Sequence, residues 1–201
     1  MFTPIFTPFR GSIVSAICAI SLGLLLVSGG CISPGNNSAP VATGASSNAF
    51  PGVEGINLLG QIIQIPNQLM GQPVVVIIAF KREQQEVINP WLPPLEELER
   101  NTPRFRFYEL PVIYEVSMME RFWINNGMRS GIPGETSRSR TITVYTDREK
   151  FMQLTGISSA DNIHLFVLNA NKEIVYRETG AFTPEKFTAL SGVVKGMAVQ
   201  P

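Results

Sequence analysis

The chain has little of the residue types on which most redox and metal chemistry depends. Its 201 residues include two cysteines, Cys18 and Cys31, and one histidine, His164. A Cys/His zinc site, a Cys-x-x-Cys redox pair and a Cys–His nucleophile are all excluded by that stock. Lys+Arg and Asp+Glu are equal at 16 each, so there is no excess of cations to bind nucleic-acid phosphates. We therefore predict no cofactor, no metal and no nucleic-acid partner.

Charge is also missing from the N-terminal part of the chain, between Arg10 and Glu54. A cation followed by an apolar run and small residues predicts a signal peptide or membrane anchor over residues 1–30. The segment Leu26–Cys31 resembles a lipoprotein processing box, in which Cys31 would be lipidated, although Ser28 stands where that box usually has Leu. The alternatives are an uncleaved anchor helix and a soluble protein with a buried apolar start. The first two place the domain outside the cytoplasm and at a membrane.

The rest of the chain divides into a tether and one domain. Residues 31–55 are rich in Ser, Ala, Gly, Asn and Pro. Such a segment buries too little apolar surface to offset its ordering entropy, so we predict a flexible tether. Residues 56–201 have the length of one ordinary domain.

The strongest fold signal is the run VVVIIAF at residues 74–80. Seven consecutive apolar residues between turn signals predict a strand that is buried on both faces. The other predicted strands are 61–65, 104–114 (broken by Pro111), 141–145 and the hairpin 163–177. The predicted helices lie near Glu86, from Pro94, over 115–126 with a stop at Gly127, over 147–156 and from Pro184. This alternation predicts an α/β fold with a mixed sheet.

Two further expectations concern the segment after the third predicted helix and the large apolar side chains. Residues 127–139 contain Gly, Ser, Pro and charged residues, which predicts a polar loop. The large side chains of Trp91, Trp123 and the pair Met118–Met119 are assigned to the core rather than to a cofactor site.

The element order, together with "short strand, Pro, Leu-x-Gly-x-Pro, VVVIIAF", resembles the thioredoxin-like superfamily, in particular its peroxiredoxin-type and lipoprotein members. The segment FVLNANKEIVYRETG is similar to the last hairpin of that family. The resemblance covers residues 56–197 and implies a thioredoxin-like central mixed sheet flanked by helices. A weaker likeness, carried by Trp91, Tyr114–Val116 and the insert before TITVY, is to the thioredoxin-like assembly factor of the mitochondrial F-type ATP synthase.

The redox site of that family is missing from this chain. The family's redox pair lies just past the buried strand, where this chain has Lys81 to Glu86. The position of the family's cis-proline is occupied by Ile163. The resemblance therefore implies the scaffold without thiol–disulfide activity.

Several polar residues are candidates for binding at the same edge of the sheet. Arg82 stands in the former active-site loop, and Glu109 lies inside an apolar strand, where a buried charge would need a partner such as Arg82 or Arg140. Arginines of the predicted loop suit a carboxylate or phosphate through bidentate bonds, or else pair with nearby acids as a solvated surface. His164 has the only reference pKa near neutrality. The candidate binding residues are Arg82, Glu109, Arg129, Arg138, Arg140 and His164.

These observations predict a membrane-tethered, extracytoplasmic domain that binds rather than reacts, with no assigned catalytic residue. Its membrane contact would be the N-terminal lipid or helix, and its partner an envelope protein or a small anion. The first alternative is a non-redox enzyme that uses Arg82, Glu109, Arg140 and His164. The second is a purely structural envelope lipoprotein without a pocket.

Overall fold

The computed structural model describes residues 48–198, so the predicted leader, Cys31 and tether residues 31–47 lie outside the described residues. Seven strands form one mixed sheet in the order β2-β1-β5-β4-β3-β6-β7. They are β1 (Val53–Asn57), β2 (Ile62–Ile65), β3 (Val74–Ala79), β4 (Arg106–Ile113), β5 (Ile142–Tyr145), β6 (His164–Leu168) and β7 (Ile174–Thr179). The helices are α1 (Gln85–Ile88), α2 (Leu92–Asn101), α3 (Met118–Gly131), α4 (Glu135–Arg140), α5 (Arg148–Thr155) and α6 (Pro184–Ala198). Short 3₁₀ turns at Arg82–Gln84 and Asn89–Trp91 precede α1 and α2.

β3 is the central strand, as VVVIIAF predicts. It runs parallel to β4 and antiparallel to β6, and all six of its residues are buried. Val76 and Ile78 pack into a core layer that includes Phe151 of α5. Val75 and Ile77 pack into a second layer, which includes residues of α1, α2 and α6. Helices on both faces of a strand need apolar side chains at every position, which confirms the predicted α/β class.

The folded domain begins before the predicted boundary at residue 56. β1 pairs antiparallel with both β2 and β5. Phe50 is buried and meets the ring of Phe151 edge to face at 6.0 Å. Assigning residues 48–55 to the tether is therefore wrong, because sheet pairing and burial of one aromatic ring outweigh the polar composition. Gly55 fits this place because a Cβ there would lie 2.5 Å from Ile142 Cγ2.

The chain between β4 and β5 is more regular than its sequence predicts. β4 runs unbroken through Pro111, which stays in register with Ala79 of β3. α3 continues through Gly127, and α4 follows, so the predicted helix stop and the predicted loop at 127–139 are both wrong. A capping box starts α3, since the Glu120 carboxylate accepts from Ser117 N at 2.9 Å. One glycine inside a well-capped helix costs only about 1 kcal/mol and does not end it.

The local signals around α5 are confirmed. Asp147 Oδ1 accepts from Lys150 N at 2.9 Å, and Gly156 ends the helix with φ +69°. Across residues 48–198, no helix combines the length and the apolar character that crossing a bilayer requires.

Candidate functional site

The loop after β3, the position of the redox pair in the family that the sequence resembles, is closed by the side chain of Gln84. Its Oε1 accepts from the backbone N–H groups of Phe80 at 2.8 Å and Lys81 at 3.2 Å. Its Nε2 donates to the carbonyl of Ala160 at 2.8 Å, in the loop before β6. Lys81 Nζ also contacts Asp161 Oδ1 at 2.7 Å. We call the three bonds of the buried Gln84 amide the Gln84 bridge.

Sequence reasoning missed the Gln84 bridge. The one available signal is the position of Gln84 at the third residue of a helical turn whose N-cap is Lys81. A Glu or Gln at that position reaches back to the backbone of the N-cap. The second partner, Ala160, is 76 residues further along the chain, so only the folded structure identifies it.

A cleft of about 240 Å³ lies beside this loop, lined by residues of α1, α2, β4 and α4. Its buried acid is Glu109, which is 4% exposed and accepts from Gln85 Nε2 at 3.2 Å. Burial raises the pKa of Glu109 above its ordinary value, although the Gln85 bond and the charge of Arg140 lower it. A buried acid with a raised pKa at the wall of a cleft is a candidate for function.

Arg140 also lines the cleft. Its Nη2 contacts Glu99 Oε2 at 3.1 Å, and its guanidinium lies 4.1 Å from the ring centroid of Phe107. Its Nη1 is buried 4.0 Å from Glu96 Oε1 and has no hydrogen-bond partner among residues 48–198. The N–H groups of Nη1 therefore have no acceptor among the described residues and are closed off from solvent. With Glu96, Glu99 and Glu109 around one guanidinium, the electrostatics disfavour a small anion.

The structure does not bring all the predicted residues together. Glu109 is in register with Ile77, whereas His164 is in register with Ile78. Side chains of successive strand residues point to opposite faces of a sheet, so Glu109 and His164 lie on opposite faces. The predicted grouping of Arg82, Glu109, Arg140 and His164 in one enzyme site is therefore wrong. Arg82 is exposed on the 3₁₀ turn after β3.

His164 has a structural environment. Its Nε2 lies 2.9 Å from Ser159 O, and its Nδ1 lies 3.3 Å from Thr179 Oγ1. Burial lowers the pKa of His164 below its ordinary value, against the effect of the Ser159 bond. The imidazole is therefore neutral at pH 7 and bridges the end of β7 to the loop before β6.

The two other predicted arginines are engaged by backbone carbonyls. Arg129 Nε donates to Leu58 O at 2.8 Å, which ties α3 to the turn between β1 and β2. Arg138 Nε donates to Ile132 O at 2.9 Å, and its Nη2 donates to Arg129 O at 3.1 Å. In the described chain, no group of three or more His, Cys, Asp or Glu side chains is arranged to hold a metal ion.

α3 turns its large apolar side chains to solvent, contrary to the predicted core assignment. Its contacts with the sheet include those of Met128 with Thr143 at 3.6 Å and of Asn125 with Tyr145 at 2.9 Å. No residue of α3 is buried. The exposed fractions are 86% for Met118, 73% for Met119, 61% for Phe122 and 68% for Trp123. The assignment failed because the residues of β5 under α3 are Thr and Tyr, whereas Ile142 and Val144 point to the other face.

Trp91, by contrast, is fully buried as predicted. Its ring meets Phe182 edge to face at 5.3 Å, and its Nε1 donates to Gly180 O at 3.2 Å.

Solved structures with similar folds include three from redox and assembly families. The thioredoxin domain of a thiol-disulfide oxidoreductase from Bacteroides vulgatus is 16% identical and matches over 75% of this chain and 98% of its own, with a TM-score of 0.49. A Sco-family cytochrome c oxidase assembly protein with a disulfide switch is 9% identical over 77% and 95%, with a TM-score of 0.52. A proposed electron transfer protein from Aquifex aeolicus VF5 is 14% identical over 75% and 98%, also at 0.52. No protein-family model and no curated protein sequence matches the chain. At these identities the similarity shows the fold alone.

Proposed function

Starting from a thioredoxin-like domain whose redox position is closed by the Gln84 bridge, we propose that this protein is a membrane-tethered, extracytoplasmic binding or assembly module without thiol–disulfide activity. The Gln84 bridge is the observation that carries the proposal. The described residues contain no cysteine, and an amide joins the two loops that would flank a redox pair. A neutral amide is neither a nucleophile nor an acid–base catalyst, and its hydrogen bonds hold the two loops in place. The Gln84 bridge therefore favours a rigid binding surface over a reactive centre.

The tether follows from the sequence outside the described residues. The apolar segment at 11–30 and Cys31 supply a helix or a lipid as the anchor. Tethering makes the encounter with a second membrane protein effectively intramolecular, which raises its effective concentration without any new contact. An assembly role at a membrane suits that arrangement.

The cleft beside Glu109 and Arg140 is the proposed recognition site. Arg140 and Glu109 both line this cleft, and Glu109, with its raised pKa, offers either a proton or an acceptor beside the guanidinium. A neutral amide, which has one acceptor and two donors, matches these groups better than an anion does. The preferred partner is therefore a peptide segment or an Asn or Gln side chain of an envelope protein. The enzyme alternative is not supported, because the sheet separates Glu109 from His164.

Site-specific photo-crosslinking in the native membrane tests the binding role. A crosslinker at Asn89, on the exposed rim of the cleft, is compared with one at Val175 of β7, which is 46% exposed. We expect discrete protein adducts from position 89 only, and we expect Ile132→Trp, which fills the cleft mouth, to remove them. Leu154→Trp, on α5, is the matched control. Equal adducts from both positions, or adducts that persist in Ile132→Trp, would refute the cleft as the recognition site.

Membrane fractionation tests the tether separately. Cys31→Ser is expected to weaken membrane retention of the full chain if the anchor is a lipid, and to leave it unchanged if the anchor is an uncleaved helix. Complete release of the unaltered chain by a mild salt wash would contradict both forms of the anchor.

A further inference from the structure

Exposed apolar side chains are concentrated in one short segment of the described domain. Ten large hydrophobic residues are exposed among residues 48–198, and five of them lie between Tyr114 and Trp123. Four of these form one side of the first turns of α3, and we call them the α3 face: Met118, Met119, Phe122 and Trp123. Phe122 and Trp123 also contact each other edge to face at 5.8 Å. Contiguous apolar surface of this kind marks an interaction site.

The exposure of the α3 face is fixed by contacts that the other side of α3 makes with the sheet. The opposite side of the helix is already fixed to the sheet through Asn125, Met128 and Arg121, whose guanidinium lies 4.8 Å from the Tyr145 ring centroid. Thr143 and Tyr145 offer polar atoms to these side chains, so rotating the helix would bury apolar groups against hydroxyls. Within the described domain, the apolar side of α3 has no surface to cover it.

We propose that the α3 face docks onto the lipid surface of the membrane to which the chain is tethered. This inference rests on the tether of the proposed function. Trp and Tyr concentrate at the boundary between lipid headgroups and acyl chains, and helices that lie in that boundary place Trp, Phe and Leu on their buried side. The α3 face has this composition, with Trp123 Nε1 as its one side-chain polar group.

A tether of the proposed length would keep the α3 face near the bilayer. Sixteen residues, 32–47, separate Cys31 from the first described residue, Asn48. A flexible chain of that length has a root-mean-square reach of about 20–24 Å. A domain of this size has a radius of gyration of about 15 Å. With such a tether the domain surface would stay within reach of the bilayer, and docking would be an intramolecular step.

The charges around the α3 face favour an apolar contact. Glu120, the one acid of α3, is bonded to Ser117 N and Oγ, and Arg129 is bonded to Leu58 O. The outward side therefore has no cluster of cations for anionic headgroups and no row of directional donors for a protein partner. Docking is expected to be insensitive to salt and to the fraction of anionic lipid, since it does not depend on screened charges.

Tryptophan fluorescence of the full chain in phosphatidylcholine vesicles tests the inference. Trp91 is fully buried and Trp123 is 68% exposed, so the difference between the unaltered chain and Trp123→Phe isolates the signal of Trp123. Brominated lipids are expected to quench that signal, and aqueous acrylamide is expected to quench it less with vesicles than without them. The Met118→Ser/Phe122→Ser variant should lower the ratio of docked to undocked domain by roughly tenfold or more, because each side chain loses its apolar burial. Leu154→Ser, an exposed residue of α5 on the other face of the sheet, should leave the quenching unchanged.

Each outcome separates docking from tethering. The docking inference is overturned if Trp123 in vesicles stays open to acrylamide and unquenched by brominated lipid, or if Leu154→Ser reduces the quenching as much as the double variant does. It is also overturned if Trp123 is shielded without lipid in a concentration-dependent dimer, or by a co-purified protein. Flotation of the Met118→Ser/Phe122→Ser variant with the vesicles tests the tether alone. If the double variant no longer floats while Trp123 of the unaltered chain is quenched by brominated lipid, docking is supported and the proposed anchor is wrong.

Discussion

Replacement of Gln84 by alanine tests whether one amide holds together the loop after β3 and the loop before β6. The side chain makes three hydrogen bonds, to Phe80 N, Lys81 N and Ala160 O, and is 5% exposed. A hydrogen bond contributes about 0.5–1.5 kcal/mol net, and a buried group left unpaired costs about 1–3 kcal/mol. We therefore expect Gln84→Ala to lower the free energy of unfolding by about 2–4 kcal/mol.

Urea unfolding followed by circular dichroism measures this change. Glu86→Ala is the matched control, because Glu86 lies exposed in α1, two residues further on, and its replacement should change the free energy of unfolding by less than about 0.5 kcal/mol. An unfolding free energy of Gln84→Ala within that margin of the unaltered chain would refute the bridging role.

Gln84→Glu adds a pH signature to the same test. A carboxylate can accept from Phe80 N and Lys81 N, but only a protonated carboxyl can donate to Ala160 O. Burial and the Ala160 carbonyl raise the pKa of the introduced acid, whereas the two N–H bonds lower it. We expect the raising effects to dominate, so the stability that the acid contributes is lost as the pH rises through that pKa. We expect Gln84→Glu to be close to the unaltered chain in mild acid and clearly less stable at pH 8.

Three further predictions concern the cleft and the buried histidine. Because burial raises the pKa of Glu109 in the folded state, the free energy of unfolding should fall as the pH rises through that pKa. Glu109→Gln should remove this fall when urea unfolding is compared at acid and alkaline pH. An unchanged pH dependence in the variant would contradict the burial of the acid. Arg140→Ala should cost about 2–3 kcal/mol, since it removes the nearer of the two cations beside Glu99 and the cation that lowers the pKa of Glu109. Arg100→Ala, at an exposed position of α2, should cost less than about 0.5 kcal/mol in the same assay. The His164 imidazole should titrate by NMR below its ordinary pKa, and a value at or above it would show that the ring is not buried as described.

Features with local causes were predictable from the sequence. Seven apolar residues in a row at 74–80 have few alternatives to a central strand, because such a run needs covering on both faces. Asp147 and Gly156 define α5 through bonds and backbone conformations within a few residues. Sequence reasoning also named Arg140 as a possible partner for Glu109, and the structure brings both to one cleft.

Features with distant causes were not predictable. The stripe at Met119, Phe122 and Trp123 has the spacing of a core-facing helix, and nothing in its own sequence shows that Thr143 and Tyr145 lie opposite. The early start of the domain depends on Phe50 finding Phe151, which is about a hundred residues away. His164 and Glu109 are each one polar residue in an apolar strand, and only strand register sets them on opposite faces.

The sequence by itself determined which residue types the domain has for chemistry and where its central strand lies. Both cysteines precede the described residues 48–198, and a continuous β-branched run predicts a buried central strand because it needs apolar cover on both faces. The tertiary structure alone decided which polar residues meet and which apolar ones stay uncovered. Those outcomes depend on pairing between segments far apart in the chain, since a one-residue change of strand register would exchange every side chain between core and solvent.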